Sequence, residues 1–127
     1  MKVETGLRGK ATLVVTTDDT ARALGSGEFD VLGTPRLIAL CEEATMSALS
    51  DQLDEDSSSV GVRIRVDHLQ PTPVGASVTA DAVLDKIDGR RLTFTVSVSD
   101  SGGLVAAGKI TRAVIDRASF LSKCCSA

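Results

Sequence analysis

The stretch Thr34-Pro35-Arg36-Leu37-Ile38-Ala39-Leu40-Cys41-Glu42-Glu43-Ala44-Thr45-Met46-Ser47-Ala48-Leu49-Ser50 decides how the rest of the chain is read. Thr34 can cap the first unpaired amides of a helix, Pro35 suits the first helical position, and no glycine interrupts the turns that follow. The spacing predicts a helix over residues 35–50, the one long helix of the chain. Upstream, β-branched residues in 9–16 predict a first strand. Between the two, Asp18–Asp30 contains Gly25-Ser26-Gly27 and reads as a mobile loop with one helical turn at Thr20–Leu24. Downstream, Asp51–Ser59 is acidic and serine-rich, and reads as a solvated connection without chemistry. From Val60 the period becomes two, with Val60, Val62, Ile64 and Val66 on one face and Arg63, Arg65 and Asp67 on the other. Pro71, Pro73 and Gly75 then mark a turn. Asp88-Gly89-Arg90 joins Ser77–Ile87 to Arg91–Ser99 as a hairpin, and Ser101-Gly102-Gly103 leads into Leu104–Asp116. Leu104, Ala106, Ile110 and Val114 alternate onto one face of that last strand. The tail 117–127 has no period and is expected to be poorly ordered.

One helix followed by antiparallel strands with an apolar face predicts an α+β domain in which the sheet wraps around the helix. The 127 residues suffice for a single domain, 1–127, and not for two. Such a sheet ends in an open edge, which a symmetric dimer can pair. A net charge of −3, three Phe and no Trp or Tyr give no basic footprint and few stacking platforms, so nucleic acid is not an expected partner. No apolar run reaches the roughly 20 residues of a membrane helix, and Met1-Lys2-Val3-Glu4-Thr5-Gly6 lacks the apolar core of a signal peptide. The expected location is the cytoplasm, without membrane association. Three cysteines, two of them adjacent at 124 and 125, form no disulfide framework.

Five residues break their local pattern. On a helical wheel Glu42 lies within about 60° of Ile38, Thr45 and Leu49, whereas Glu43 falls with Arg36, Ser47 and Ser50. Glu42 is therefore either a carboxylate at the rim of the buried stripe that reaches solvent or a desolvated one with a task. His68, the only histidine, ends the alternating series from Val60 and precedes the proline-rich turn, where a side chain can meet a cleft. Arg112 alternates onto the apolar face of the last strand, and either pairs with a carboxylate such as Glu42 or binds an anionic substrate. Thr34 serves as an N-cap or places a hydroxyl where helix amides stabilise negative charge. Gly61, inside a strand, points to the close approach of a ligand or another backbone. One His and three scattered Cys give no metal-site spacing, and there is neither a glycine-rich phosphate loop nor a nucleophile elbow.

Gly33-Thr34-Pro35-Arg36-Leu37-Ile38-Ala39-Leu40-Cys41-Glu42-Glu43-Ala44, followed by Val60-Gly61 and Val66-Asp67-His68, resembles the fluoroacetyl-CoA thioesterase family of hotdog proteins. A Thr at the helix start, a Glu eight residues on and a His thirty-four residues after the Thr are that family's catalytic set, and Thr34, Glu42 and His68 match it. Gly89–Phe94 and Gly108–Arg112 extend the resemblance, which runs from about Phe29 to Val114. It implies the hotdog fold and hydrolysis of an acyl-CoA thioester to a carboxylate and free CoA. No cofactor is implied, coenzyme A being part of the substrate. His68 would shuttle protons, Glu42 would act as nucleophile or as base, Thr34 would orient thioester or water, and Gly61 would donate its amide to the thioester oxygen. Phe29 and Arg112 would contact substrate, with Asp18–Asp30 as a lid. About 12 Å of helix axis separates Thr34 from Glu42, so substrate lies between them or two subunits build the site. That arrangement implies a homodimer and leaves open a tetramer. The chain departs from the family in its lid, where Phe29 is the only aromatic, so the resemblance implies no fluoroacetyl preference. Two other classes share the fold: a non-catalytic acyl-CoA-binding module, and an enoyl-CoA hydratase, whose Asn-Pro-containing motif is absent here.

Overall fold

The computed structural model describes residues 3–125; Met1 and Lys2 of the leader reading and the last two residues of the tail lie outside them. The chain runs β1 (Arg8–Val14), a 3-10 turn (Thr17–Asp19), α1 (Ala21–Leu24), α2 (Thr34–Ala48), β2 (Ser57–His68), β3 (Ser77–Asp88), β4 (Arg91–Asp100), β5 (Gly103–Asp116) and α3 (Arg117–Cys125). The strands form one antiparallel sheet in the order β1-β3-β4-β5-β2, which leaves β1 and β2 on opposite edges.

Helix α2 is seated by an i, i+3, i+4 stripe: Leu37, Leu40, Cys41, Ala44, Thr45 and Ala48 are all buried. The stripe packs against Val78, Ala80, Ala82 and Leu84 of β3, Leu92, Phe94, Val96 and Val98 of β4, and Ala106 and Ile110 of β5. Ala44 and Ala48 are small because β1 comes in at backbone distance: a Cβ on Gly9 would collide with the main chain of both. The tight approach draws β1 over the helix, while β2 at the other edge keeps Val62 and Ile64 exposed.

Several expectations are corrected. Thr34 is not the N-cap: Gly33 holds that position with extended backbone, and Thr34 and Pro35 open the helix. Ser57–Ser59 belong to β2 rather than to a loop. The alternation from Val60 to His68 is broken, because Gly61 pairs with Arg112 and Arg63 with Thr111, leaving Val62 as a bulged extra residue. Ile64, Val66 and His68 stand opposite Ile110, Gly108 and Ala106 on the inner face, whereas before the bulge it is Ser59 and Gly61, not Val60, that share the face of Val114 and Arg112. Leu104 likewise leaves its predicted face: a second bulge, at Val105, buries that residue and exposes Leu104. The tail from Arg117 forms α3, whose described residues are exposed.

The Asp18–Asp30 segment is not a loose loop. Thr20 caps α1 through its side chain, and Gly25 ends it in the left-handed conformation. Amides of Ala21, Arg22 and Ser26 donate to the carbonyls of Val31, Phe29 and Ala21. Bridges Thr20 to Leu32 and Val31 to Pro73 fasten both ends of what is a hydrogen-bonded strap.

Candidate active site

The first turn of α2 has no side-chain cap, so the Thr34 hydroxyl is not spent on helix amides. It lies 2.8 Å from Nδ1 of His68, at the end of β2. The other ring nitrogen, Nε2, is buried without a partner. Burial holds the imidazole below its ordinary value, partly offset by the main chain of Gln70, so His68 is neutral at pH 7. A cleft of about 280 Å³ opens beside the pair, lined by Ala21 and Ser26 of the strap, by Val31 and Leu32 just after it, and by Leu69, Gln70 and Pro71. Phe29 is outside that lining, with 68% of its surface exposed.

Glu42, two turns along α2, does not join this pair. It stands at the rim of the buried stripe, where its Oε2 meets Nη1 of Arg112 at 3.4 Å. Arg112 is buried and held from behind: Nε donates to the Ser59 hydroxyl at 2.8 Å and Nη2 to the Ser59 carbonyl at 3.0 Å. Of the two sequence readings of Arg112, the carboxylate pairing is the one formed here. Glu42 fits against β2 because residue 61 has no side chain, as a Cβ there would lie 2.5 Å from Oε2. Its neighbour Glu43 turns outward and binds Arg36 at 3.0 Å. Cys41, buried beside Glu42, is pushed up to about 11 by burial and is no nucleophile at neutral pH.

The structure thus makes two half-sites: Thr34 with His68, and Glu42 with Arg112, Ser59 and Gly61. Ser59 had no signal of its own in sequence. Gly61 did carry one, since glycine inside a strand marks a bulge as well as a close approach. Among the described residues no cluster of His, Cys, Asp and Glu could hold a metal ion, and no helix is long and apolar enough to cross a membrane.

Residues 15–118 match the sequence profile of the fluoroacetyl-CoA-specific thioesterase family. The chain belongs to that family. Fluoroacetyl-CoA thioesterase of Streptantibioticus cattleyicolor is 35% identical over 94 residues, 74% of this chain and 68% of that one. A phenylalanine variant of the fluoroacetyl-CoA-specific thioesterase FlK, solved with fluoroacetate and CoA, superposes with a TM-score of 0.86 at 31% identity, covering 93% of this chain and 99% of that one. A hot-dog-like protein from Thermanaerovibrio acidaminovorans gives a TM-score of 0.84 at 26% identity over 94% and 89% of the two chains. The fold of this member of the fluoroacetyl-CoA-specific thioesterase family is accordingly the hotdog fold, and its chemistry is hydrolysis of acyl-CoA thioesters.

Proposed function

We propose that Thr34, His68 and Glu42 carry this hydrolysis, in a site completed by a second copy of the chain. The observation that carries the reading is the 2.8 Å contact between Thr34 and His68, which leaves Nε2 of a neutral imidazole buried and unpartnered beside the cleft. A neutral histidine whose second nitrogen is unengaged can take a proton from water and return it to the departing CoA sulfur. Thr34 opens α2, so a thioester oxygen placed there meets the positive end of the helix dipole as negative charge develops. The Gly61 amide of the second copy, which enters beside that copy's Glu42, is a further donor to that oxygen.

Glu42 is about 12 Å away along its own helix, too far to act on the carbon held by Thr34 and His68 of the same chain. The exposed Val62 and Ile64 on edge strand β2 support pairing with a second copy, whose Glu42 completes the set. Arg112, anchored by Ser59, aims that carboxylate through the 3.4 Å contact. Phe29, exposed and outside the cleft lining, is open to substrate or to the partner. Direct attack by Glu42 and activation of water by Glu42 differ in outcome: in a single turnover in 18O-water, label enters the Glu42 carboxylate only if it attacks.

The relative solved with fluoroacetate and CoA supports an acyl-CoA of short chain as substrate. The strap, with one aromatic residue, supports acceptance of acyl groups beyond fluoroacetyl. Three unpaired thiols support a cytoplasmic setting. A thiol-release screen across short, branched, aromatic and long acyl-CoAs tests the reading: turnover fastest with short chains is expected, and no free thiol from any of them would leave a binding module.

A further inference from the structure

Arg36 occupies the first turn of α2, the end at which a helix favours negative charge, and that turn contains no acidic residue. A cation placed there needs compensation from outside the helix. Asp19 provides it: Oδ1 meets Nε of Arg36 at 3.4 Å, with the aspartate side chain 13% and the arginine 26% exposed. Asp19 is itself held in place by the Thr16 amide at 2.8 Å and hydroxyl at 3.0 Å, both on Oδ2. Its own carbonyl accepts from the Gly33 amide at 2.9 Å. Asp19 therefore grips residue 33 through its main chain and residue 36 through its side chain, on both sides of Thr34. From the far side, Glu43 braces Arg36 at 3.0 Å.

We propose that Asp19 and Arg36 form a positioning clamp that ties the strap to the start of α2 and sets the Thr34 hydroxyl against His68. Neither residue touches the cleft, and both act through Thr34, so the inference rests on the role given to Thr34 above. The clamp does for the helix start what a side-chain cap would do elsewhere, and leaves the Thr34 hydroxyl available for His68. Thr16 holds the Asp19 carboxyl below the usual carboxylate range, so the clamp is closed at neutral pH. A hydroxyl displaced by even a fraction of an ångström costs rate far more than affinity.

Thiol release by the full chain tests this with Arg36→Met, Arg36→Lys, Asp19→Asn, Thr34→Ala and the Arg36→Met/Thr34→Ala double variant. Arg36→Met and Asp19→Asn are expected to lower kcat about tenfold with KM nearly unchanged. Arg36→Lys recovers part of the loss. The double variant should be no slower than Thr34→Ala by more than about twofold, because the clamp works only through that hydroxyl. Losses that multiply, or an Arg36→Met kcat equal to the parent's, would overturn the clamp while leaving Thr34 in its role. If Thr34→Ala keeps full kcat, the role of Thr34 fails instead, and the 15N shift of Nδ1 decides the clamp separately. His68 is the only histidine, so its signal is unambiguous. Arg36→Met and Asp19→Asn remove opposite charges, yet both should move Nδ1 in the direction that Thr34→Ala moves it; opposite or absent shifts overturn the clamp. Asp19→Asn, nearly isosteric, carries the test if Arg36→Met does not fold.

Discussion

The Thr34 hydroxyl and Nδ1 of His68 are 2.8 Å apart, joined across the gap between the first turn of α2 and the last residue of β2. Because the contact uses Nδ1, the proton that moves in catalysis is handled at Nε2. Replacing His68 by Ala is expected to lower turnover by about 10²–10⁴-fold. A His68→Ala variant that folds and releases thiol at the parent's rate would refute the assignment.

Glu42 and Glu43 are adjacent and chemically alike, but one faces Arg112 and Gly61 and the other faces solvent and Arg36. Glu42→Gln should lower kcat by about 10²-fold or more. Glu43→Gln keeps an oxygen that accepts from Arg36, and its loss should stay within a few-fold. Equal losses in the two variants, measured by thiol release with matched folding controls, would contradict the geometry.

Burial holds His68 below its ordinary value of 6.5. The acid limb of kcat/KM should therefore lie below pH 6.5, with activity flat above it through neutrality. Stability has the same sign. The unfolded chain takes up a proton near 6.5 and the folded chain only at lower pH, so stability is full above 6.5 and falls as pH drops through that window. Thermal unfolding between pH 7.5 and 5 should show a fall that His68→Gln reduces.

Two glycines predict opposite outcomes. Gly61→Ala puts a methyl 2.5 Å from Glu42 Oε2, at the end of a flexible side chain that can swing away. Turnover should fall at least tenfold while the melting temperature changes by only a few degrees. Gly9→Ala instead drives a methyl into the main chain of α2, which cannot yield, and should cost about 1–3 kcal/mol or more of stability. Calorimetry beside thiol release separates the two.

Ile64 is on the inner face of the edge strand β2, and 40% of its surface is exposed in the single chain. Ile64→Lys should give a monomer in sedimentation equilibrium and abolish turnover, since Glu42 of the second copy is then missing. A parent chain that is monomeric at assay concentration and fully active would rule out the shared site.

The helix and the four later strands could be read from sequence because their apolar spacing follows the period of the element that buries them. Thr34, Glu42 and His68 stood out because each breaks that spacing. What stayed hidden depends on contacts made across the fold. Ser59 looks like part of an acidic loop until Arg112 is brought to it from 53 residues away. The strap reads as mobile because Gly25 and Gly27 are local signals, whereas its fastening to Leu32, Thr72 and Pro73 is not. Val62 and Val105 keep an unbroken alternation in the written sequence, and only pairing with a neighbouring strand reveals the extra residue.

The bulge at Val62 works as a frameshift within the strand. A strand that kept every residue but ran without the bulge would hold the phase of His68 and the Thr34 contact, yet would turn Gly61 and Ser59 outward and bring Val62 opposite Arg112, on the face of Glu42. One half-site would survive and the other would lose both its clearance and its anchor. The two halves of β2 are therefore independent in phase, and straightening the bulge would keep the proton shuttle while changing what stands opposite the carboxylate.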